Sequence, residues 1–315
     1  MLAEKQTIIF TENSVLTTAV SRIRHQESHF HDNAIELLLI LKGTVHMRSS
    51  HRHVTLHEGE IFSIDPGDIH CIYSDVDNAV LHIYINVINE FYSRERIYSC
   101  FFACETQHID TYQQDALYKV SDLMLAAALE KSLDAGSSSD KNITIISGKL
   151  LKLLVKHFDW LSFIWDPTDS NPTLQSRFHR IINYCQEHYK EKITISMLAE
   201  KEHFNENYFS ILMKKTSFEG FNYMLNFFRC DGAEHLLLTT DQNVIEISSL
   251  CGFSDPKYFY KHFRKWWNMS PAKLRKWYKE YALSEPDVTV LSDSEAAEIL
   301  QQFLAPYHIK QSLKI

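Results

Sequence analysis

Two stretches of the chain, 50 residues apart, are written in one grammar. Ile195–Lys215 and Ile245–Lys265 each open with a short apolar-periodic helix, pass a tight turn, and continue into a second helix dense in aromatic and basic side chains. That is the pattern of a helix-turn-helix, and it makes demands that these residues meet. A small residue has to sit where the two helices cross, and the spacing assigns this place to Ala199 and Ser249. The turn of the second copy contains Gly252, which takes φ > 0 without a clash. Asn205 and Ser254 are placed to cap the second helices, and Pro256 suits a first helical turn, where its missing N–H has no partner to lose.

Charge is distributed in the same sense. The net charge of −8 would repel phosphate, but residues 1–173 carry −9, 174–281 carry +4 and 282–315 carry −3, and residues 252–281 alone hold +6. Such a run is ordinarily a solvated helix face; within a helix-turn-helix it becomes a candidate surface for double-stranded DNA. Glu187–Cys251 carries six basic against ten acidic residues, which works against a tight grip by the first motif.

Ahead of this block, Thr7 to about Asn86 reads as short apolar or alternating runs broken by turns such as Lys42-Gly43 and Asp65-Pro66-Gly67, the pattern of a sandwich or small barrel. From residue 94 the period becomes helical, in Leu117, Val120, Leu123, Met124, Ala127 and Ala128 and again in Ile143, Ile146, Leu150, Leu153 and Leu154. These helices serve either the domain's own core or a dimer seam. Asp166–Thr173, with two prolines and no apolar anchor, reads as a linker. The expected division is 1–93, a β domain; 94–165, helical and dimerising; 166–173, linker; 174–281, DNA-binding; and 282–315, an extension. In that extension a strand-like Val288–Leu291 and a capping box at Ser292–Glu295 precede Ala296–Leu304, as a docking helix or the start of a further domain.

Gly252-Phe-Ser-Asp, Tyr258-Phe, Phe263-Arg-Lys265, Met269-Ser-Pro271 and Arg275 resemble the C-terminal signature of the AraC/XylS transcriptional regulators. Phe221–Leu225, Arg229, Ala233, Leu236 and Leu237 are similar to the linker helix that joins the two motifs in that family. The resemblance implies a multi-domain α+β chain: an N-terminal cupin-like β-barrel with following helices, then an all-α domain with two helix-turn-helix motifs. It also implies a homodimer on double-stranded DNA, with RNA polymerase as a partner if the protein activates. In each motif the second helix enters the major groove. Helical spacing puts Lys257, Tyr260 and Lys261 on the exposed face of the second copy, with Tyr258, Phe259 and Phe263 inward or flanking, and Arg264 and Lys265 toward phosphate. The equivalent face of the first copy is Asn207, Ser210, Ile211 and Lys214. Trp266, Trp267, Trp277 and Tyr278 fall at core and rim spacing rather than forming a stacking platform for single strands.

In the β domain, His29-Phe-His31 places two imidazoles on one face of a strand, with Glu36 five residues on and His70 after the Pro66-Gly67 turn. The set resembles the cupin motif, whose corresponding positions are ligands in metal-binding members, so a divalent metal would fall to His29, His31, Glu36 and His70. AraC-type sensor domains resemble the same fold and generally bind a small effector in the barrel, a polar metabolite such as a sugar. The same four residues are the candidates for that pocket. A purely structural, hydrogen-bonded role is the third reading. No cofactor is expected.

No nucleophile elbow, P-loop or Rossmann glycine pattern is present, so no enzyme is expected. The alternative is a metal-dependent cupin enzyme, or a metal or redox sensor, with an attached DNA-binding domain; Cys100 and Cys104, one helical turn apart, are the thiols that a redox sensor would use. Six cysteines without a CxxC pair, no signal-peptide pattern and no apolar run of about 20 residues lead to the expectation of a reduced, cytoplasmic, soluble protein with no membrane partner.

Overall fold

The computed structural model describes residues 1–10, 15–87, 102–133, 137–158, 172–214 and 220–312. The expected linker lies outside these as far as residue 171, as do Cys100 and most of the turn at 216–220. The chain divides into two units. One comprises Lys5–Ser49, His53–Asp159 and Glu285–Ile315, the other Met1–Glu4, Ser50–Arg52 and Trp160–Ser284.

The first is the cupin-like unit. Its strands are β1 (Glu4–Lys5), β2 (Leu16–His25), β3 (His29–Phe30), β4 (Ala34–Lys42), β5 (Thr44–Ser49), β6 (Arg52–His57), β7 (Ile61–Ile64), β8 (His70–Tyr73), β9 (Ala79–Asn86) and β10 (Asp287–Val290). Among the described residues they hydrogen-bond in the order β1-β3-β8-β2-β9-β4-β7, with β5 joining β6 to β8 and β10 on β2. Strand β4 shows why this part of the sequence lacks alternation: both of its faces are buried. Ile35, Leu37, Leu39 and Leu41 pack with α1 (Gln114–Leu133) and α2 (Ser137–His157), while Leu38 and Ile40 point the other way, against Val45, Met47, Phe62 and Ile72. Each such side chain contributes about 1.5–3 kcal/mol on burial. Glu36 shares the second face, a carboxylate in an apolar strand.

The C-terminal extension docks on this unit. Val288, Thr289 and Val290 pair with Ile23, Arg22 and Ser21 of β2, and the Leu291 N–H donates to Val20 O at 2.9 Å. Ser292 and Glu295 form the expected capping box. The helix they open, α10 (Asp293–Ser312), sends Ala296, Leu300 and Phe303 into the core shared by α1, α2 and β4.

The second unit is helical: α3 (Pro172–His188), α4 (Ile195–Lys201), α5 (Glu206–Lys214), α6 (Phe221–Thr239), α7 (Val244–Leu250), α8 (Pro256–Trp267) and α9 (Pro271–Tyr281). Two sequence expectations are corrected here. The buried small residue of the second motif is Ser248 rather than Ser249, which is exposed. The turn runs five residues in the second copy (251–255) and four in the first (202–205), so the repeats are 49 apart before the turn and 50 after it. For the same reason the cap of α8 is Asp255 rather than Ser254: the helix begins at Pro256, and the Asp255 carboxylate accepts the Lys257 N–H at 2.8 Å. Asn205 caps α5 as expected, accepting from Asn207 and Tyr208. The core is aromatic, with Phe259, Phe263 and Trp267 on one stripe of α8, and Trp267 and Tyr278 fully buried. Arg275 closes the end of α6, donating to the carbonyls of Leu237 and Gln242 at 2.8 Å and of Thr240 at 3.4 Å. No described helix is long and apolar enough to cross a membrane.

Candidate nucleic-acid interface and buried histidine–glutamate cluster

The two second helices expose the same positions. On α5, Asn207, Ile211 and Lys214 lie at i, i+4 and i+7, and on α8, Lys257, Lys261 and Arg264 do so 50 residues later; all six are exposed. Ile211 is 58% exposed, an apolar side chain suited to a thymine methyl rather than to water. Ser210 and Tyr260 are half-buried on the flank of these stripes. Lys265 leans away, its Nζ 3.9 Å from the Tyr223 ring centroid. Tyr258, expected inward or flanking, stands 59% exposed, because the core side of α8 is already filled by Phe259, Phe263 and Trp267. Tyr208, its counterpart on α5, is 48% exposed. Sequence reasoning missed this pair, although the 50-residue offset relates them.

In the barrel, His29, His31, Glu36 and His70 are at most 2% exposed, and the ligand atom that each offers lies within 4.8 Å of the others. The hydrogen bonds fix the protons. The Nδ1 of His29 faces Glu27 O at 2.8 Å, that of His31 faces Ala34 O at 3.2 Å, and that of His70 faces Asp68 O at 2.9 Å. A carbonyl only accepts, so each Nδ1 carries a hydrogen, and in the neutral ring Nε2 is left as a bare lone pair. The His31 and His70 Nε2 atoms lie 2.9 and 3.2 Å from Glu36 Oε2. Lone pairs converging on a buried carboxylate require a positive charge, either a proton or a cation.

The remaining carboxylate oxygen is held from the other side. His82 donates from Nδ1 to Glu36 Oε1 at 2.6 Å, and its Nε2 accepts from the Ser21 hydroxyl at 2.8 Å. Burial alone would raise the pKa of Glu36, but hydrogen bonds from His31, His70 and His82 hold it well below the carboxylate range. Burial works against a charged His31; its hydrogen bond to Glu36 outweighs this and moves its pKa up. His29 goes the opposite way, down to about 3, through burial and the neighbouring His70. Tyr84, directly across the strand pair from Glu36, is pushed well above its ordinary range by burial and then by that carboxylate.

Residues 198–276 match a helix-turn-helix domain family and residues 23–85 a cupin domain family. The chain thus combines a helix-turn-helix domain with a cupin domain, and the relatives it matches are HTH-type transcriptional regulators. The uncharacterized HTH-type transcriptional regulator YijO of Escherichia coli is 36% identical over 112 residues, 36% of this chain and 40% of that protein. The corresponding regulator YdeC of Bacillus subtilis is 25% identical over 266 residues, 79% of this chain and 85% of its own. A crystal structure of Vibrio cholerae ToxT with unsaturated fatty acid bound aligns over 85% of this chain and 97% of that one, at 14% identity and a TM-score of 0.41.

The four cluster residues expected from sequence are brought together, and Ser21, His82 and Tyr84 join them without having been expected. The signal for two of these was present: His82 and Tyr84 stand two apart in the apolar strand Ala79–Asn86, which puts both on one face. Cys104 is buried, and burial with the nearby Glu105 charge raises its thiol beyond ready ionisation, unlike a reactive sensor cysteine.

Proposed function

We propose that the protein is a sequence-specific regulator that reads double-stranded DNA with α5 and α8, and that its effector is a divalent transition-metal ion held by His29, His31, Glu36 and His70. The observation that carries the effector reading is the set of three Nδ1 atoms tied to backbone carbonyls, which turns three Nε2 atoms and one carboxylate oxygen toward one another. Such outer hydrogen bonds are how metal-binding histidines are oriented. Four donor atoms within 4.8 Å of one another span one ion and leave no space between them for a sugar ring. Three imidazoles with a carboxylate suit Zn, Mn, Fe or Ni. When bound, the ion supplies the positive charge that the buried lone pairs lack. The DNA reading rests on the exposed stripe Lys257–Lys261–Arg264 and its counterpart on α5, with Ser210, Tyr260 and Lys265 as flanking contacts.

A cytoplasmic homodimer belongs to the same reading; Tyr118 and Ile145, exposed on α1 and α2, are the side chains with which a second copy would pack. RNA polymerase is a partner if the protein activates. Metal analysis of protein purified without chelators tests the effector. About one ion per chain is expected, lost in His31→Ala and Glu36→Gln. A metal-free protein whose operator affinity ignores added zinc rejects it. Footprinting on the DNA upstream of its own gene tests the rest: protection of adjacent major-groove segments is expected, whereas uniform binding to any duplex counts against sequence-specific reading.

A further inference from the structure

Neither the DNA face nor the ion site uses the C-terminal strand and helix. Five residues, 282–286, separate the end of α9 from the start of β10, so the DNA-binding unit is joined covalently to the sensor at its downstream end as well as its upstream end. The elements on the far side of that junction rest on the two strands that matter to the cluster. β10 extends β2, placing Val290 opposite Ser21. The Ser21 hydroxyl holds His82, and His82 holds Glu36. α10 drives Ala296, Leu300 and Phe303 into the core that contains Ile35 and Leu37, the neighbours of Glu36 on its own strand.

The two attachments differ in strength. α10 is anchored by apolar burial, whereas all four residues of β10 are exposed, so backbone hydrogen bonds hold the strand. Pairing of that kind belongs to the low-stability end of a fold and is where a small shift is turned into opening or closing. We propose that β10 and α10 form the output arm of the sensor: a shift of Glu36 on ion binding passes through β2 and β4 to the arm, and along the chain from there to the DNA-binding unit. This rests on the reading of the cluster as the effector site.

The test compares full-length wild type, Thr289→Pro and Thr289→Val on an operator duplex selected from random pools, with zinc as the ligand. Thr289 is exposed, and proline there removes a ladder donor without touching the core; valine keeps the donor. Zinc binding is measured separately from operator Kd. The expected result is equal zinc binding in all three, with a zinc effect on Kd of about tenfold in wild type and Thr289→Val that falls below about twofold in Thr289→Pro. A full zinc response in Thr289→Pro overturns the arm and leaves the ion site standing. If zinc does not bind wild type, or binds without changing its Kd, the effector reading fails, and the metal-free proteins decide the arm. A difference of about fivefold or more in operator Kd between wild type and Thr289→Pro then supports it, and equal values overturn it. Should Thr289→Pro not fold, Leu300→Ala, which loosens α10 instead, takes its place in the same comparison.

Discussion

Replacing Gly252 by alanine tests the account of the second helix-turn-helix most directly. The residue sits at φ +83°, and a Cβ built there would lie 2.6 Å from Lys190 O and 3.0 Å from Lys190 C. The left-handed conformation alone costs a non-glycine residue about 1–2 kcal/mol. The contact adds to this, because both atoms are backbone and cannot rotate away. The stretch that would have to move is also pinned, since Arg229 donates to Tyr189 O at 2.9 Å and to Glu191 O at 3.0 Å. Forced overpacking of this kind costs about 1–3 kcal/mol, so the total should be roughly 2–5 kcal/mol. That is a large share of a typical domain stability of about 5–15 kcal/mol. Gly59 provides the control: its φ is +84°, yet nothing lies within 4 Å of a Cβ there, so Gly59→Ala should show only the backbone cost. Urea unfolding of both variants, followed by tryptophan fluorescence and by circular dichroism, gives the two values. If Gly252→Ala costs no more than Gly59→Ala, the close approach of the turn to residue 190 is wrong, and with it the placement of α8 on its motif.

Lys261→Ala should leave the melting temperature unchanged and weaken operator binding. A base contact would show as a loss of about 1–3 kcal/mol confined to one operator position, a phosphate contact as a uniform loss with a salt slope reduced by about one, and unchanged affinity would mean that the wrong face was chosen. Arg275→Ala removes three carbonyl contacts at the end of α6 and should destabilise the helical unit by ~2–3 kcal/mol, with Arg275→Lys recovering little because a single ammonium cannot reach all three acceptors. His82→Ala, which frees one oxygen of Glu36 without removing any of the four ligands, should lower zinc affinity about 10–100-fold in a competition titration; an unchanged affinity would show that Glu36 needs no support from behind.

The repeated motif was legible because helix-turn-helix packing constrains local sequence: small, turn, cap and aromatic positions recur at fixed offsets. The same local rule misled at Ser249 and Ser254, since a one-residue difference in turn length shifts the phase of everything before it, and no propensity reports that length. Tyr258, which helical spacing placed inward or flanking, is exposed because its neighbours had already filled the core. In the barrel, His29, His31 and Glu36 are close in sequence and His70 follows a marked turn, so the cluster could be anticipated. Ser21 and His82, 61 residues apart, meet only through strand pairing, which the sequence does not encode locally. The fate of the extension was equally out of reach: β10 finds β2 more than 260 residues upstream, through backbone groups that carry no side-chain signature.

The return of α10 to the barrel also has a consequence for biosynthesis. The 135 residues between His157 and Asp293 leave the ribosome before the helix that fills the space beside α1 and β4. At about 5–20 residues per second that is a wait of roughly 7–27 s, during which the nascent sensor keeps an oily seam uncovered while the DNA-reading half can already collapse. Maturation of the two halves is therefore expected to run in the reverse of their order along the message, and chaperone demand to fall on the half made first.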